Sequence, residues 1–373
     1  MRSESVAEEW LAQTGNTICC STADDDPVWD AFVASVPGGS HVQTSMWARV
    51  KAVVHWRAVR IMLLHNGTIV AGAQVLTHRM PALGAIGYIP KGPLCSTGNV
   101  ANARYIIDAL HHIEGLRQVQ YLVIQPPNDG HALACLLPTW GIRPALMDAL
   151  PTATVLLDLT EGPDAILAGM KRQTRQNIHR SERSGVTVRE GSAEDIPLLY
   201  DFHQVSARCQ DFVPYPLEYF TALWDAFAPS GHAVLFVAEC ASSALAALLV
   251  IPFGQKVVTA ACGWSGEQGH CRPNEALYWA AIRWGCVHGF AYLDMDTFDA
   301  RLARLLLAGG TLTDADHRTP DAFKLGFGGE VVLCPEAFEY IYNPLLRLSY
   351  QAIFPRLAHF PQMYRFLNRF RQR

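Results

Sequence analysis

Twice along this 373-residue chain, short apolar runs suited to strands alternate with amphipathic helical stretches, and the order recurs. Strands interleaved with helices imply layered α/β units rather than a helical bundle or an all-β sandwich. In the first passage a helical stretch at 45–54 leads into beta-type runs at 56–64 and 69–76. Asn66-Gly67 between those runs is a strong hairpin signal, because both residue types accept positive φ. A strand at 85–90, a helix at 100–115 and a buried strand at 121–125 follow. From residue 153 the pattern returns. It has a strand at 154–159, a helix through 171–183, a strand at 186–189 and a helix opened by the capping pattern Ser192-Ala-Glu-Asp195. Next come a helix at 217–227, strands at 233–239, 244–252 and 257–263, a helix at 274–288 and a strand at 291–295. Two units of similar size and order imply an internal duplication. The expected division is a lead-in over 1–27, a first domain over 28–152, a second over 153–346 and a basic helical tail over 347–373.

The helix that opens the second unit is unusual in charge. At about 100° per residue, its winding puts Arg172, Arg175, Gln176, His179 and Arg183 on one side. Leu167, Met170, Thr174, Ile178 and Ser181 fall on the other. Glu182 is the sole acid among six cations from Lys171 to Arg189, whereas an ordinary solvated face mixes signs. The tail repeats the theme with six arginines and no acid from Arg347 to Arg373. Because the formal net charge is -4, the chain is no uniformly basic nucleic-acid binder, and any polyanion is met by these local patches.

Half the residues are apolar, enough for two cores. The ten cysteines include no C-x-x-C pair, which speaks against zinc or a disulfide framework and for reduced, mostly buried thiols. The N-terminus is acidic and lacks an apolar signal core, and the longest apolar run, 245–253, is far short of a membrane span. A cytoplasmic location with no membrane span is expected.

Familiar catalytic signatures are missing: no G-x-x-x-x-G-K-[ST], no G-x-S-x-G and no H-E-x-x-H. Asp108, His111, His112 and Glu114 fit a solvent-facing helical stripe better than a metal site. Four stretches carry more chemistry. Lys51 lies one helical turn beyond Trp47, where a cation over an aromatic can meet an anion such as phosphate. Arg208 ends a helix just before the aromatic turn at Phe212 and can fork onto a phosphate or carboxylate. Asp294, Asp296 and Asp299 cluster at and beyond the end of a buried strand, where α/β proteins place proton acceptors and amine-binding acids. Phe323-Lys324-Leu-Gly-Phe327-Gly-Gly329 sets a lysine between aromatics beside a glycine loop, placed to stabilise negative charge on a carbonyl oxygen.

Together these stretches resemble the FemAB family, peptidyltransferases that use aminoacyl-tRNA to extend peptidoglycan side chains. The matching pieces are Gln43, Trp47 and Lys51 (Gln-x-x-x-Trp with a following lysine), Gly92-Pro93 after a strand, and the basic helix from Thr174 to Val186. Arg208 with Phe212, Gly289 with Asp294, and the Phe323–Gly329 run follow in the family's order, over about residues 40–345. The resemblance implies an α/β (α+β) fold of two tandem GNAT-type acyltransferase domains, each a mixed twisted sheet flanked by helices. It also implies roles: Lys324 near the acylated adenosine, and Lys51 and Arg208, beside Trp47 and Phe212, at acceptor phosphates. Asp294 and Asp296 are candidates for the chemistry from their place at the strand end, and Arg172, Arg175, His179, Arg183 and Phe323 are candidates for the tRNA contact. Aminoacyl-tRNA would be the co-substrate, no cofactor would be needed, and the acceptor would be a small peptide or phosphate-bearing amine.

Three features depart from the family's pattern. Gln125-Pro126-Pro127 stands where an acid usually precedes proline, Asp294-Met-Asp-Thr replaces Asp-x-Gly-Gly, and the coiled-coil arm of some members is missing. The acceptor can therefore be a peptidoglycan precursor or a peptide or nucleoside natural product. An acyl-CoA-dependent GNAT enzyme and a non-catalytic RNA-binding GNAT pair are the alternatives. The first lacks a [RQ]-x-x-G-x-[GA] pyrophosphate loop.

Overall fold

The computed structural model describes residues 15–348 apart from 81–83, 97–98, 111, 114–115, 117, 146–149, 211 and 345–346. Most of the basic tail, the first half of the lead-in, and His111 and Glu114 of the acidic-histidine stripe lie outside the described residues. The strands in chain order are β1 (Asn16–Ser21), β2 (Arg57–His65), β3 (Thr68–Met80), β4 (Gly84–Ile89), β5 (Leu94–Cys95), β6 (Val119–Ile124), β7 (Arg143–Pro144) and β8 (Ala153–Asp158). Then come β9 (Thr187–Glu190), β10 (Val234–Cys240), β11 (Ser243–Phe253), β12 (Lys256–Trp264), β13 (Tyr292–Thr297), β14 (Glu330–Leu333) and β15 (Phe338–Ile341). The α-helices are α1 (Pro27–Ser35), α2 (Ser45–Ala52), α3 (Asn102–Ala109), α4 (His131–Leu136), α5 (Pro163–Gly169), α6 (Arg172–Arg183), α7 (Ile196–Gln210), α8 (Leu217–Phe227), α9 (Pro273–Val287), α10 (Ala300–Leu307) and α11 (Pro320–Lys324).

The strands form two sheets. One has the order β1-β2-β3-β4-β6-β15-β7 with β5 also on β3, and the other β14-β8-β13-β12-β11-β10-β9. In each, a parallel pair (β4 with β6, β12 with β13) is joined by a passage that contains a helix, α3 or α9. Such a crossover is what parallel strands require. This shared placement is the structural form of the repeated sequence order. The chain divides into two compact units, one up to Leu150 with the segment from Cys334, the other Pro151–Leu333.

Local signals account for several elements. The β2–β3 hairpin turns on Asn66 (φ 50°) and Gly67 (φ 80°), the left-handed pair that the Asn-Gly dipeptide favours. Ser192 and Asp195 form a reciprocal capping box, with the Ser192 backbone N–H donating to Asp195 Oδ2 at 2.9 Å. Gly72 admits Trp29, because a Cβ there would run into the indole ring. Trp29 is fully buried and its Nε1 donates to the Gln43 carbonyl at 2.6 Å.

Two expected boundaries are corrected. The lead-in over 1–27 contributes an edge strand, with Ile18 of β1 opposite Leu63 of β2. Residues 338–341, assigned from sequence to the second domain, form β15 between β6 and β7, with Phe338 opposite both Ile124 and Pro144. The physical reason is Glu339. It is 1% exposed, and its carboxylate accepts from the Tyr121 hydroxyl at 2.7 Å and Arg143 Nε at 2.9 Å. A buried acid needs such partners, and they lie in the first unit. Of the tail, Arg347 is described, and its guanidinium donates to the carbonyl of Ile341 beside the Tyr340 ring.

The cysteine expectation also needs correction. All ten are free, but Cys271 and Cys334 alone are buried, whereas Cys20, Cys135 and Cys209 are exposed. No helix of the described residues is long and apolar enough to cross a membrane.

Candidate functional site

The second unit gathers its chemistry at the end of β13. Asp294 pairs with Leu156 of β8, but the register then slips, and pairing resumes at Thr297 opposite Thr154. The extra residue is a β-bulge, a device that re-aims side chains next to sites. Asp296 in the bulge has φ 52°, a left-handed conformation that costs a non-glycine residue about 1 kcal/mol. Asp294 holds the bulge: it is 3% exposed, and its Oδ1 accepts from Thr154 Oγ1 at 2.5 Å and from the Asp296 N–H at 3.0 Å. Asp296 itself is partly exposed, and its Oδ2 accepts from the neighbouring Thr297 hydroxyl at 3.2 Å. Asp299 caps α10 by accepting from the Leu302 N–H at 2.9 Å, so this third acid forms the turn.

Lys324, at the end of α11, reaches this bulge. Its Nζ donates to the Thr297 carbonyl. Burial holds the ammonium below the ordinary lysine value, opposed by the charges of Asp296, Asp321 and Asp294, and Cys262. Phe323, Tyr278 and Phe327 form an aromatic nest behind it, with ring centroids 5.1 to 5.4 Å apart. Phe327 is fully buried, which contributes about 2–3 kcal/mol.

The basic helix abuts the same turn. The Lys171 N–H donates to the Gly326 carbonyl at 2.9 Å, and a Cβ on Gly326 would collide with Thr174 Oγ1. Thr174, Asn177, Ile178 and Ser181 are the buried face of α6, the helical spacing expected. Asn177 Nδ2 donates to the buried carboxylate of Glu275 on α9 at 2.8 Å. The helix ends in Gly185 (φ 77°), the left-handed residue that commonly follows a helix. Its first turn holds no acid and its N-cap makes no side-chain bond, leaving backbone N–H groups and cations at the positive end of the dipole.

The four cationic positions expected on that face differ in availability. Arg175 turns back, its Nη1 donating to the carbonyls of Ala168 and Met170, and so closes the end of α5. His179 Nδ1 is 3.3 Å from Glu182, and Arg183 Nε donates to the His179 carbonyl at 3.2 Å. Arg172 is exposed, as is Arg180 further along the helix, and neither guanidinium makes a hydrogen bond or ion pair among the described residues.

Arg208 is exposed near the end of α7, and Phe212 packs its ring 5.2 Å from His203, whose Nδ1 lies 3.2 Å from the Cys262 carbonyl. Lys51 and Trp47 belong to the first unit, on α2. Lys51 is 7% exposed with its Nζ 5.9 Å from the Trp47 ring centroid, and burial lowers its ammonium to about 8. Burial likewise lowers the His41 imidazole to about 3, aided by the charge of Lys91, and its ring meets Trp47 edge-on at 5.4 Å. Gln43 is structural: its Nε2 donates to the Pro90 carbonyl at 2.5 Å and its Oε1 accepts from the Gln74 N–H at 2.7 Å. Gln125 likewise pairs with the backbone of Leu150, at 3.2 and 2.7 Å.

Sequence reading missed several members of the second-unit cluster. Burial raises the Asp321 carboxyl, against the Asp299 N–H bond and the charge of Lys324; burial pushes the Cys262 thiol up to about 12. Burial raises the Tyr219 and Tyr278 hydroxyls, with the charge of Asp296 a lesser contributor, and Tyr219 stacks on Tyr215 at 3.9 Å. Asp321, three residues before Lys324, was the one with a local signal. The tyrosines come from distant helices and had none.

Residues 25–133 match the model of the FemAB family and residues 168–302 that of a GNAT acetyltransferase domain. A lipid II:glycine glycyltransferase of Staphylococcus saprophyticus is 24% identical over 225 residues, 57% of this chain and 54% of the relative. This chain thus spans about half the length of the curated relatives it matches. The crystal structure of FemX superposes with a TM-score of 0.77 at 18% identity, covering 89% of this chain and 99% of that one. A tandem GNAT protein from the clavulanic acid biosynthesis pathway gives 0.52 at 11% identity, covering 88% and 99%. With two helix-flanked mixed sheets, a stretch of FemAB-family sequence in its first unit and one of GNAT sequence in its second, the chain has the fold of tandem GNAT-type proteins and is similar to the FemAB family over residues 25–133.

Proposed function

We propose that the chain is an aminoacyltransferase that moves an amino acid from aminoacyl-tRNA to an amine of a peptide-type acceptor. The observation that carries this reading is Lys324, held on the Thr297 carbonyl and backed by a turn that touches the acid-free start of the basic helix through Gly326. The acceptor's neutral amine adds to the ester carbonyl carbon. A C–N bond forms, the C–O bond to the ribose 3′ oxygen breaks, and that oxygen leaves with the amine's proton. Lys324 stabilises the oxyanion, while Asp294 fixes the bulge that carries Asp296. The ester is already activated, so positioning and charge stabilisation suffice and no cofactor is required.

Phosphates near the acylated end of the tRNA would meet the uncapped start of α6 with Arg172, those further along the strand would meet Arg183 at the other end of the helix, and Phe323 would back the terminal adenosine. Relatives named for glycine transfer to lipid II support a peptidoglycan precursor as acceptor. A peptide or nucleoside natural product is the other acceptor class. Lys51 over Trp47, and Arg208 with Phe212, are the proposed acceptor contacts. The reaction would take place in the cytoplasm, where tRNA is charged.

Purified protein incubated with a panel of labelled aminoacyl-tRNAs and amine acceptors, lipid II among them, should transfer label to one acceptor. Lys324→Ala should lose at least about 100-fold in rate. Turnover with an acyl-CoA and none with any charged tRNA would sink the reading. The match to a GNAT acetyltransferase domain favours that second reading, in which the uncapped start of α9 would take the pyrophosphate.

A further inference from the structure

We propose that Asp296 is the binding group for a free α-ammonium, so that the site selects unmodified α-amino esters and rejects their N-acylated forms. This rests on the aminoacyl-transfer reading for the identity of the ligand, but its grounds are the arrangement around Lys324. The charges of three carboxylates act on that lysine. Asp294 is buried, with Oδ1 accepting from Thr154 and from the Asp296 N–H. Asp321 Oδ1 accepts from the Asp299 N–H at 3.2 Å. Asp321 and Asp296 are both partly exposed, but Asp321 is tied to a separate turn, whereas the Asp296 carboxylate accepts only from the adjacent Thr297 hydroxyl among the described residues.

The Asp296 carboxylate and the Lys324 ammonium both converge on Thr297, one through its hydroxyl and the other through its carbonyl. An α-amino ester presents the complementary pair: a carbonyl oxygen that gains negative charge during attack, and an ammonium on the adjoining carbon. A carboxylate beside the oxyanion-stabilising lysine would oppose catalysis if it faced the oxygen. Facing the ammonium, it neutralises a substrate charge and sets the carbonyl toward Lys324. An acylated nitrogen has no charge for Asp296 and leaves the carboxylate desolvated without a partner, which is the origin of the rejection.

The test uses 3′-deoxy-3′-(glycylamino)adenosine, a non-hydrolysable stand-in for the end of a charged tRNA, and its N-acetyl derivative. Calorimetric titration of the full chain should show about 30-fold tighter binding of the free amine. Asp296→Asn, which keeps the shape and tolerates positive φ, should narrow that preference to about 3-fold with an unchanged melting temperature. Equal binding of the two probes by the parent, binding of neither, or the same preference in Asp296→Asn would overturn the proposal. The transferase reading is scored separately. A preserved probe preference without transfer from any charged tRNA sinks that reading and leaves the ammonium site standing. Equal transfer from glycyl- and N-acetylglycyl-tRNA does the reverse.

Discussion

Thr174 Oγ1 occupies the space that a Cβ on Gly326 would need, so the basic helix and the turn carrying Lys324 meet where no side chain fits. Gly326→Ala should therefore overpack the contact and lower stability by about 1–3 kcal/mol. Thr174→Ala removes the obstructing hydroxyl, and the double variant should recover more than half of the loss. Urea unfolding of the four proteins measures this as a coupling energy. Additive losses would show that the two residues do not share the contact.

Lys51 gives a pH signature. Burial lowers its ammonium to about 8 from an unfolded value of 10.5. Below pH 8 both states hold the proton and the folded chain bears the burial cost, on the order of 3 kcal/mol. Between pH 8 and 10.5 the unfolded chain binds more protons, so stability from this group rises with pH. Lys51→Met should accordingly be more stable than the parent at pH 7, with the difference fading by pH 10.5. Denaturant titrations of both proteins across that range check the sign, and a difference that grows with pH would contradict it.

The β10–β11 hairpin offers a stabilising change. Its two turn residues, Ala241 (φ 49°) and Ser242 (φ 65°), hold left-handed conformations that suit Asn and Gly far better. Replacing the pair by Asn-Gly should raise stability by about 1 kcal/mol without altering transfer. A fall in melting temperature would count against the relief of strain.

For the basic helix, neutralising Arg172, Arg180 and Arg183 to Gln should weaken tRNA binding and reduce the slope of log affinity against log salt by about 2. Arg175 is left out because its guanidinium closes α5. An unchanged slope would remove α6 from the tRNA contacts. Salt-sensitive tRNA binding without transfer to any acceptor would instead point to a non-catalytic RNA-binding pair.

What the sequence revealed depended on how local the cause was. The Asn66-Gly67 turn, the Ser192–Asp195 box and the two faces of α6 follow from residues a few positions apart, and each was legible. So was the Phe323-Lys324 run, because lysine between aromatics beside glycines is unusual chemistry. The bulge at Asp296 was not, since it arises from a register slip against β8, 140 residues away in sequence at the Thr154–Asp294 bond. Tyr278 was hidden for the same reason, being an ordinary apolar-face residue of α9 until the fold packs it against Phe323 and Phe327. β15 was misplaced because four alternating residues carry no label of their sheet, and the partners of Glu339 stand 218 and 196 residues away.

The placement of β15 also bears on synthesis. Strand β15 lies between β6 and β7, yet it is made after the whole of Pro151–Leu333. On the ribosome, the second unit has its complete sequence before the first has its last strand, so the domain begun first is the one finished last. A chain stopped at residue 333 would leave the edge of β6 bare and open to pairing with another molecule.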